Sequence, residues 1–316
     1  MNFGKKSLEE FRELSKKLME RIPAADLAAV LFPPAMGIDL LSGMLSEHPP
    51  EDEGFDPDYP EAETLDAVLA MARWLSENYF TVRIGNAASV PSRGPVLFVG
   101  NHSAGLMPLD ALFAMNELQD RHPGLPPVHA LVHDFAYMAP RIARSAKHLG
   151  ILRANKQNAL DALAAGRPVL VYPGGDEDAF RTFKERNRIV LAGRKGFIRL
   201  AMKANVPIVP LVSVGLQESF LVLSKGRNIA KKLGLKKLFR TEIFPLSLSF
   251  PWGIGPAFAP FLPLPCAVDM WFLDPILPEG SPEDDDAVTA IYERVLESMQ
   301  TAMDELCQDR VPFFGR

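Results

Sequence analysis

The stretch VLFVGNHSAGLMPLDALF, residues 96–113, runs an unbroken apolar segment into a polar loop and then into a helical pattern. Val96, Leu97, Phe98 and Val99 without a polar break describe a strand covered on both faces, as in a largely parallel sheet. The loop holds Asn101, His102 and Ser103 in succession, and Asp110 follows His102 by eight positions. Pro108 suits the start of the helix that carries Asp110. In open α/β sheets, chemistry collects beyond the carboxyl ends of the strands. A turn at that place lets Asp110 meet one ring nitrogen of His102 while the other faces a cleft, which makes a general base. Spacing alone equally admits a plainer arrangement, with Asp110 as a helix cap and His102 as a satisfied loop histidine. Ser103 is adjacent to His102, so its side chain points elsewhere, and the G-x-S-x-G elbow of serine hydrolases is missing.

The same alternation continues outward from this unit. Apolar runs at 79–84, 95–100, 128–133, 168–173, 206–214, 243–250 and 267–273 read as strands. Helical patterns lie near 109–119, 134–148, 155–166, 193–204 and 226–239. This predicts an α/β domain over 78–280, with a mixed, largely parallel sheet flanked by helices. Before it, residues 1–77 read as a helical N-terminal region. It opens on a capping box, Ser7 to Glu10, and contains an exposed acidic, Pro-rich linker at 47–63. After it, Ser281-Pro282 caps a last helix to about 307, and residues 281–316 pack on the domain.

Composition bounds the function. The 316 residues are 47% hydrophobic and carry a formal charge of −5, so no nucleic-acid partner is expected. Cys266 and Cys307 are the only cysteines, which suits a reducing, cytoplasmic setting. The N-terminus lacks the apolar core of a signal peptide. Residues 243–268 carry no charge and are long enough to span a bilayer, but six prolines interrupt them. His122, His129, His133 and His148 match no tight metal-ligand spacing.

Two further stretches complete the set of candidate residues. VLVYPGGDEDAFR, 169–181, leads a strand into Gly174 and Gly175, then Asp176, Glu177 and Asp178, then Arg181. The glycines let backbone approach a ligand, and the carboxylates either receive a substrate hydroxyl or form a solvated rim. In 192–215, Arg194, Lys195 and Arg199 decorate a helix leading into Val206-Pro207-Ile208-Val209-Pro210, where the prolines suggest a stiff, unpaired strand entry.

Taken in order, Asn101-His102…Asp110, Pro173-Gly174-Gly175-Asp176-Glu177 and Val206–Pro210 resemble the glycerolipid acyltransferase superfamily. The monoacylglycerol/diacylglycerol-acyltransferase-like branch is the nearest in pattern, and the resemblance spans roughly 80–280. Seven residues separate His102 from Asp110 where the family more often has four, and PGGDEDAFR stands where phosphate-acceptor members carry E-G-T-R-S. The resemblance implies a glycerol-3-phosphate acyltransferase-like fold and acyl transfer from acyl-CoA to a lipid alcohol. It implies His102 and Asp110 as the catalytic pair and no cofactor beyond acyl-CoA as substrate. On the substrate side it places Asn101, Ser103, Gly105, Arg153, Gly174, Gly175, Asp176, Glu177, Arg181 and Arg194. An ester hydrolase or a non-catalytic lipid-binding protein remains open on the same fold. Residues 225–240 hold seven basic residues and no acid, with Ile229, Leu233 and Leu238 or Phe239 able to share one helical face. That pattern predicts peripheral contact with an anionic membrane surface.

Overall fold

The computed structural model describes residues 5–23, 26, 39, 42, 54–103, 105, 107–132, 137, 140–236, 241–257 and 262–316. Its strands are β1 Thr81–Gly85, β2 Leu97–Gly100, β3 His129–Val132, β4 Ile151–Arg153 and β5 Val169–Val171, then β6 Ile208–Val214, β7 Leu221–Ser224, β8 Leu246–Ser249, β9 Gly253–Pro256 and β10 Ala267–Phe272. Seven of them form a sheet in the order β1-β10-β6-β2-β5-β3-β4, and β7-β8-β9 form a separate antiparallel sheet. In the large sheet only β6 and β10 run antiparallel. The α/β class and the mixed, largely parallel sheet are therefore as the apolar runs indicate.

The two faces of the sheet are covered differently. On one face lie α5 (Lys156–Ala164), α7 (Gly196–Ala204) and α10 (Asp285–Cys307), which bury Ala159, Ile198 and Val295 against Leu97, Val99 and Val212. On the other lie α2 (Ala62–Asn78) and α3 (Leu109–Arg121), which bury Leu69 and Phe113 against Phe98, Val209 and Met270. Every residue of β2 and β6 is buried, which is why those segments, Ser213 apart, run apolar rather than alternating. The N-terminal α1 (Lys5–Arg21) reaches the domain through α2, where the Phe11 and Trp74 rings meet at a tilt with centroids 4.7 Å apart. Among the described residues no helix is long and apolar enough to cross a membrane.

Several local expectations are corrected. Ser7 lies inside α1 and donates to Asn78 Oδ1 at 2.7 Å, so it does not cap that helix. Residues 54–60, expected in an exposed linker, lie on the domain: Phe55 packs on its core and Pro60 is buried. The cap of α10 is Asp284, whose carboxylate accepts from Asp286 and Ala287, so Pro282 precedes the helix. Pro210 sits inside central strand β6, not at an unpaired entry; its carbonyl accepts from Leu273, just past the end of β10. Residues 243–250 join the small sheet instead of the large one. Short β4, β7 and β9 lie outside the runs read as strands, and the helix expected at 226–239 is α9, Arg227–Lys232, with 237–240 outside the described residues.

His129, at the start of β3, is almost fully buried, and neither ring nitrogen has a hydrogen-bond partner among the described residues. Burial, reinforced by the charge of Arg167, pulls its pKa down to about 4. The unfolded chain therefore binds the extra proton, and acid favours unfolding. This contribution to stability is complete above the ordinary histidine range and is lost as pH falls toward 4. His129→Phe should flatten the stability–pH curve by about 2 kcal/mol between pH 7 and 5, as read from urea melts.

Candidate active site

The site is built where β2 ends. Gly100 has no side chain because the Tyr172 ring occupies that space; a Cβ would lie 2.6 Å from it. Asn101 follows and bridges to β6 in both directions. Its Oδ1 accepts from Ser213 N at 2.8 Å and its Nδ2 donates to Ser213 O at 2.9 Å. This buried amide extends the β2–β6 ladder by one side chain and fixes where the loop begins.

Two carboxylates then hold the next two residues. His102 N–H donates to Asp178 Oδ2 at 2.5 Å. His102 Nδ1 lies 2.7 Å from Asp110 Oδ2, which also accepts from Ser103 N–H at 2.9 Å. The other oxygen of Asp110 accepts from Ala111 N–H at 2.9 Å. Asp110 is fully buried in the first turn of α3, where the helix favours negative charge. A carboxylate only accepts, so Nδ1 carries the proton and Nε2 keeps its lone pair. Nε2 has no hydrogen-bond partner among the described residues, and the imidazole remains 19% exposed. The structure thus joins the two residues whose spacing suggested a pair, and Asp110 does so without acting as the N-cap, which is Pro108.

Behind this pair lies a fully buried ion pair. Asp178, on the short α6 (Gly175–Ala179), meets Arg181, whose Nη2 donates to Ser103 Oγ at 3.2 Å. Desolvation lowers the Arg181 pKa to about 10, against the opposing charges of Asp110 and Glu185. Tyr172, which the sequence reading did not single out, has its ring 4.9 Å from the His102 ring. Burial first, then the Asp110 charge, push its phenol well above the ordinary value. Its only sequence signal was its position at the end of an apolar strand run.

These contacts revise most of the expected substrate-side residues. Asn101, Ser103 and Arg181 are buried and fasten the loop; none presents a surface to a substrate. Gly105 has a φ of +63° and its missing Cβ makes room for Phe220, so it is a packing glycine. Gly175 N–H donates to Tyr172 O, and a Cβ on Gly174 would collide with Val190 O. The acidic cluster faces cations on every side: Asp176 meets Arg194 at 3.3 Å, Glu177 meets Arg227 at 2.7 Å and Lys225 at 3.1 Å, and Asp178 meets Arg181. It is neither a substrate-facing trio nor a bare rim. Arg153 ends the edge strand β4, three strand spacings from β2, or about 14 Å across the sheet. The histidines scatter: His122 bonds Ala87 O, His148 bonds Glu61, His129 is in the core, and His133 lies outside the described residues. Among the described residues no three His, Cys, Asp or Glu side chains converge as metal ligands.

A family model described as Acyltransferase matches residues 81–214, the segment that carries His102, Asp110 and β6. An uncharacterized protein of Mycobacterium tuberculosis is 30% identical over 267 residues, covering 83% of this chain and 71% of that one. The DGAT1/2-independent enzyme synthesizing storage lipids of Gallus gallus is 30% identical over 157 residues, which is 50% of this chain and 45% of the chicken protein. Diacylglycerol O-acyltransferase 1 of Saccharomyces cerevisiae is 27% identical over 167 residues, which is 51% of this chain and 39% of the yeast protein. The crystal structure of the 1-acyl-sn-glycerophosphate (LPA) acyltransferase PlsC from Thermotoga maritima shares the fold. It superposes with a TM-score of 0.50 at 14% identity, over 95% of this chain and 97% of that one. The chain belongs to the glycerolipid acyltransferase superfamily.

Breaking the buried pair tests whether it supports the loop. Arg181→Met leaves Asp178 charged and enclosed, so it should cost about 3 kcal/mol or more in urea denaturation. Arg181→Met with Asp178→Leu should recover part of that loss. Recovery stays incomplete because His102 N–H then lacks its acceptor.

Proposed function

We propose that the chain transfers an acyl group from an acyl thioester, acyl-CoA, to the hydroxyl of a neutral glycerolipid, with His102 as general base and Asp110 as its positioning partner. The observation that carries this is the His102 Nδ1–Asp110 Oδ2 contact at 2.7 Å, with Nε2 left unengaged at a partly exposed ring. A thioester is already activated, so the weak reactant is the alcohol. Nε2 takes the hydroxyl proton as the oxygen attacks the thioester carbonyl. The tetrahedral intermediate collapses with loss of the thiolate, which accepts the proton from Nε2. The products are an ester and a free thiol, and the histidine returns to its starting form. Asp110 fixes the tautomer and stabilises the imidazolium while it exists.

The acceptor follows from charge and from the relatives. A phosphate on the acceptor needs convergent donors to offset its desolvation. Arg181, Arg194, Lys225 and Arg227 are each already engaged by a carboxylate. The repulsion expected from a bare acidic cluster is therefore not the reason; the cations that would welcome a phosphate are occupied. A mono- or diacylglycerol hydroxyl asks for no such donors, and the chicken and yeast relatives are named for storage-lipid synthesis and diacylglycerol O-acyl transfer. Both reactants of this scheme live in or at a bilayer, so the enzyme works as a peripheral protein on a membrane surface.

His102→Ala should lower transfer by about 10³-fold without loss of folding, in line with the 10²–10⁴-fold a general base supplies. The assay is labelled acyl-CoA with monoacylglycerol, diacylglycerol or lysophosphatidic acid, with products separated by lipid chromatography. Transfer within tenfold of wild type would remove the base from the mechanism. Asp110→Asn should lower kcat by a smaller factor, about 10²-fold, because an amide must turn its NH2 toward one of three donors now bonded to Asp110.

A further inference from the structure

The small sheet is built inside out. In β8 the sequence Leu246-Ser247-Leu248-Ser249 alternates, and it is the serines that are buried and the leucines that face outward. Ser247 and Ser249 satisfy each other at 3.1 Å beneath the sheet. The register puts Leu221, Leu248 and Ile254 in one cross-strand row on the outer face. The β8–β9 turn then carries Phe250, 62% exposed, and Trp252, 67% exposed, and Ile254 beyond it is 71% exposed. A sheet with one solvated face places polar residues outward, so this arrangement needs a partner that takes apolar groups.

The chemistry around the patch selects that partner. Residues 219–268 hold seven basic residues and one acid, Glu242, in a chain whose net charge is −5. Lys231 and Lys232 on α9 are exposed and make no ion pair among the described residues, and Ile229 and Leu233 of the same segment are exposed one turn apart. Aromatic side chains at a hairpin tip, apolar strands and adjacent cations together suit the headgroup region of an anionic bilayer. The inner face of the same sheet reaches the site: Phe220 and Val222 pack with Phe180 and Met107, and Phe220 fills the space beside Gly105 in the loop that follows His102.

We propose that the outer face of β7–β9 docks on an anionic lipid bilayer, with Phe250, Trp252 and Ile254 entering the headgroup region and Lys231 and Lys232 meeting lipid phosphates. That this surface presents the acceptor to His102 rests on the acyl-transfer reading; the docking itself stands on the sheet's geometry.

The test uses the full chain and phosphatidylcholine vesicles with or without about 30% phosphatidylglycerol. The wild type should co-sediment with the anionic vesicles, less so as salt rises. Trp252→Ser with Ile254→Ser should keep the wild-type melting temperature and lower partitioning about tenfold or more. Lys231→Ala with Lys232→Ala should weaken binding to the anionic vesicles only. His102→Ala should bind as the wild type does. Equal binding by the Trp252/Ile254 variant, or none by the wild type, overturns the proposal. So does a wild-type dimer that this variant converts to monomer with vesicle binding unchanged, since the face would then join two copies. If docking behaves as expected but no acyl transfer is found with any acceptor, the surface stands and the enzymatic reading falls.

Discussion

Asp178 and Arg181 form an ion pair with no access to water, and the loop carrying His102 hangs on it. A buried pair of charges is tolerated only when its remaining hydrogen-bonding capacity is met. Here part of it is met by the site loop itself: Asp178 takes the His102 amide and Arg181 gives to the Ser103 hydroxyl. Asp110 then takes the His102 ring and the Ser103 amide from the other side. Two carboxylates on two different helices thus clamp one dipeptide, and the imidazole has little freedom except at Nε2. A histidine held in this way is preorganised for the general-base role proposed for it, which is the condition under which such catalysis is effective.

The clamp also gives the second motif a structural task. The glycines of Pro173-Gly174-Gly175 bring α6 close enough for Asp178 to reach the loop. A Cβ on Gly174 would strike Asp178 and Val190. Gly175 has a φ of +54°, a conformation open to glycine at no steric cost, and Arg194 lies where its side chain would be. Of the carboxylates that follow, Asp176 and Glu177 recruit cations from distant segments and Asp178 pairs with nearby Arg181, so the motif is a local hub of structure. Through Lys225 and Arg227, both bonded to Glu177, that hub is tied to the start of α9 and the end of the small sheet. The amphipathic surface and the histidine loop are therefore mechanically adjacent, joined by Phe220 on one side and by this ion-pair cluster on the other.

The amino-acid sequence by itself determined the sheet, and it left the pair beyond β2 as one of two arrangements that the spacing admits. Leu97–Gly100 and, Ser213 apart, Ile208–Val214 are apolar because both sides of each strand are covered, and that signal lies within each segment. His102 and Asp110 are eight residues apart, so a single turn joins them and spacing sufficed to suggest it. What only the tertiary structure decided is which polar residues are buried and whom they meet. Asn101 finds Ser213 across 112 positions, Arg181 finds Ser103 across 78, and Arg227 finds Glu177 across 50. Asn101, Ser103, Arg181 and Glu177 looked substrate-facing, and Arg227 membrane-facing, when read along the chain. Strand order β6-β2-β5 brings their elements side by side, and a polar group's partner is set by that order rather than by its neighbours in sequence. The serines of β8 make the same point: the apolar run at 243–250 suggested a strand, but only the fold buries Ser247 and Ser249 and turns Leu248 outward.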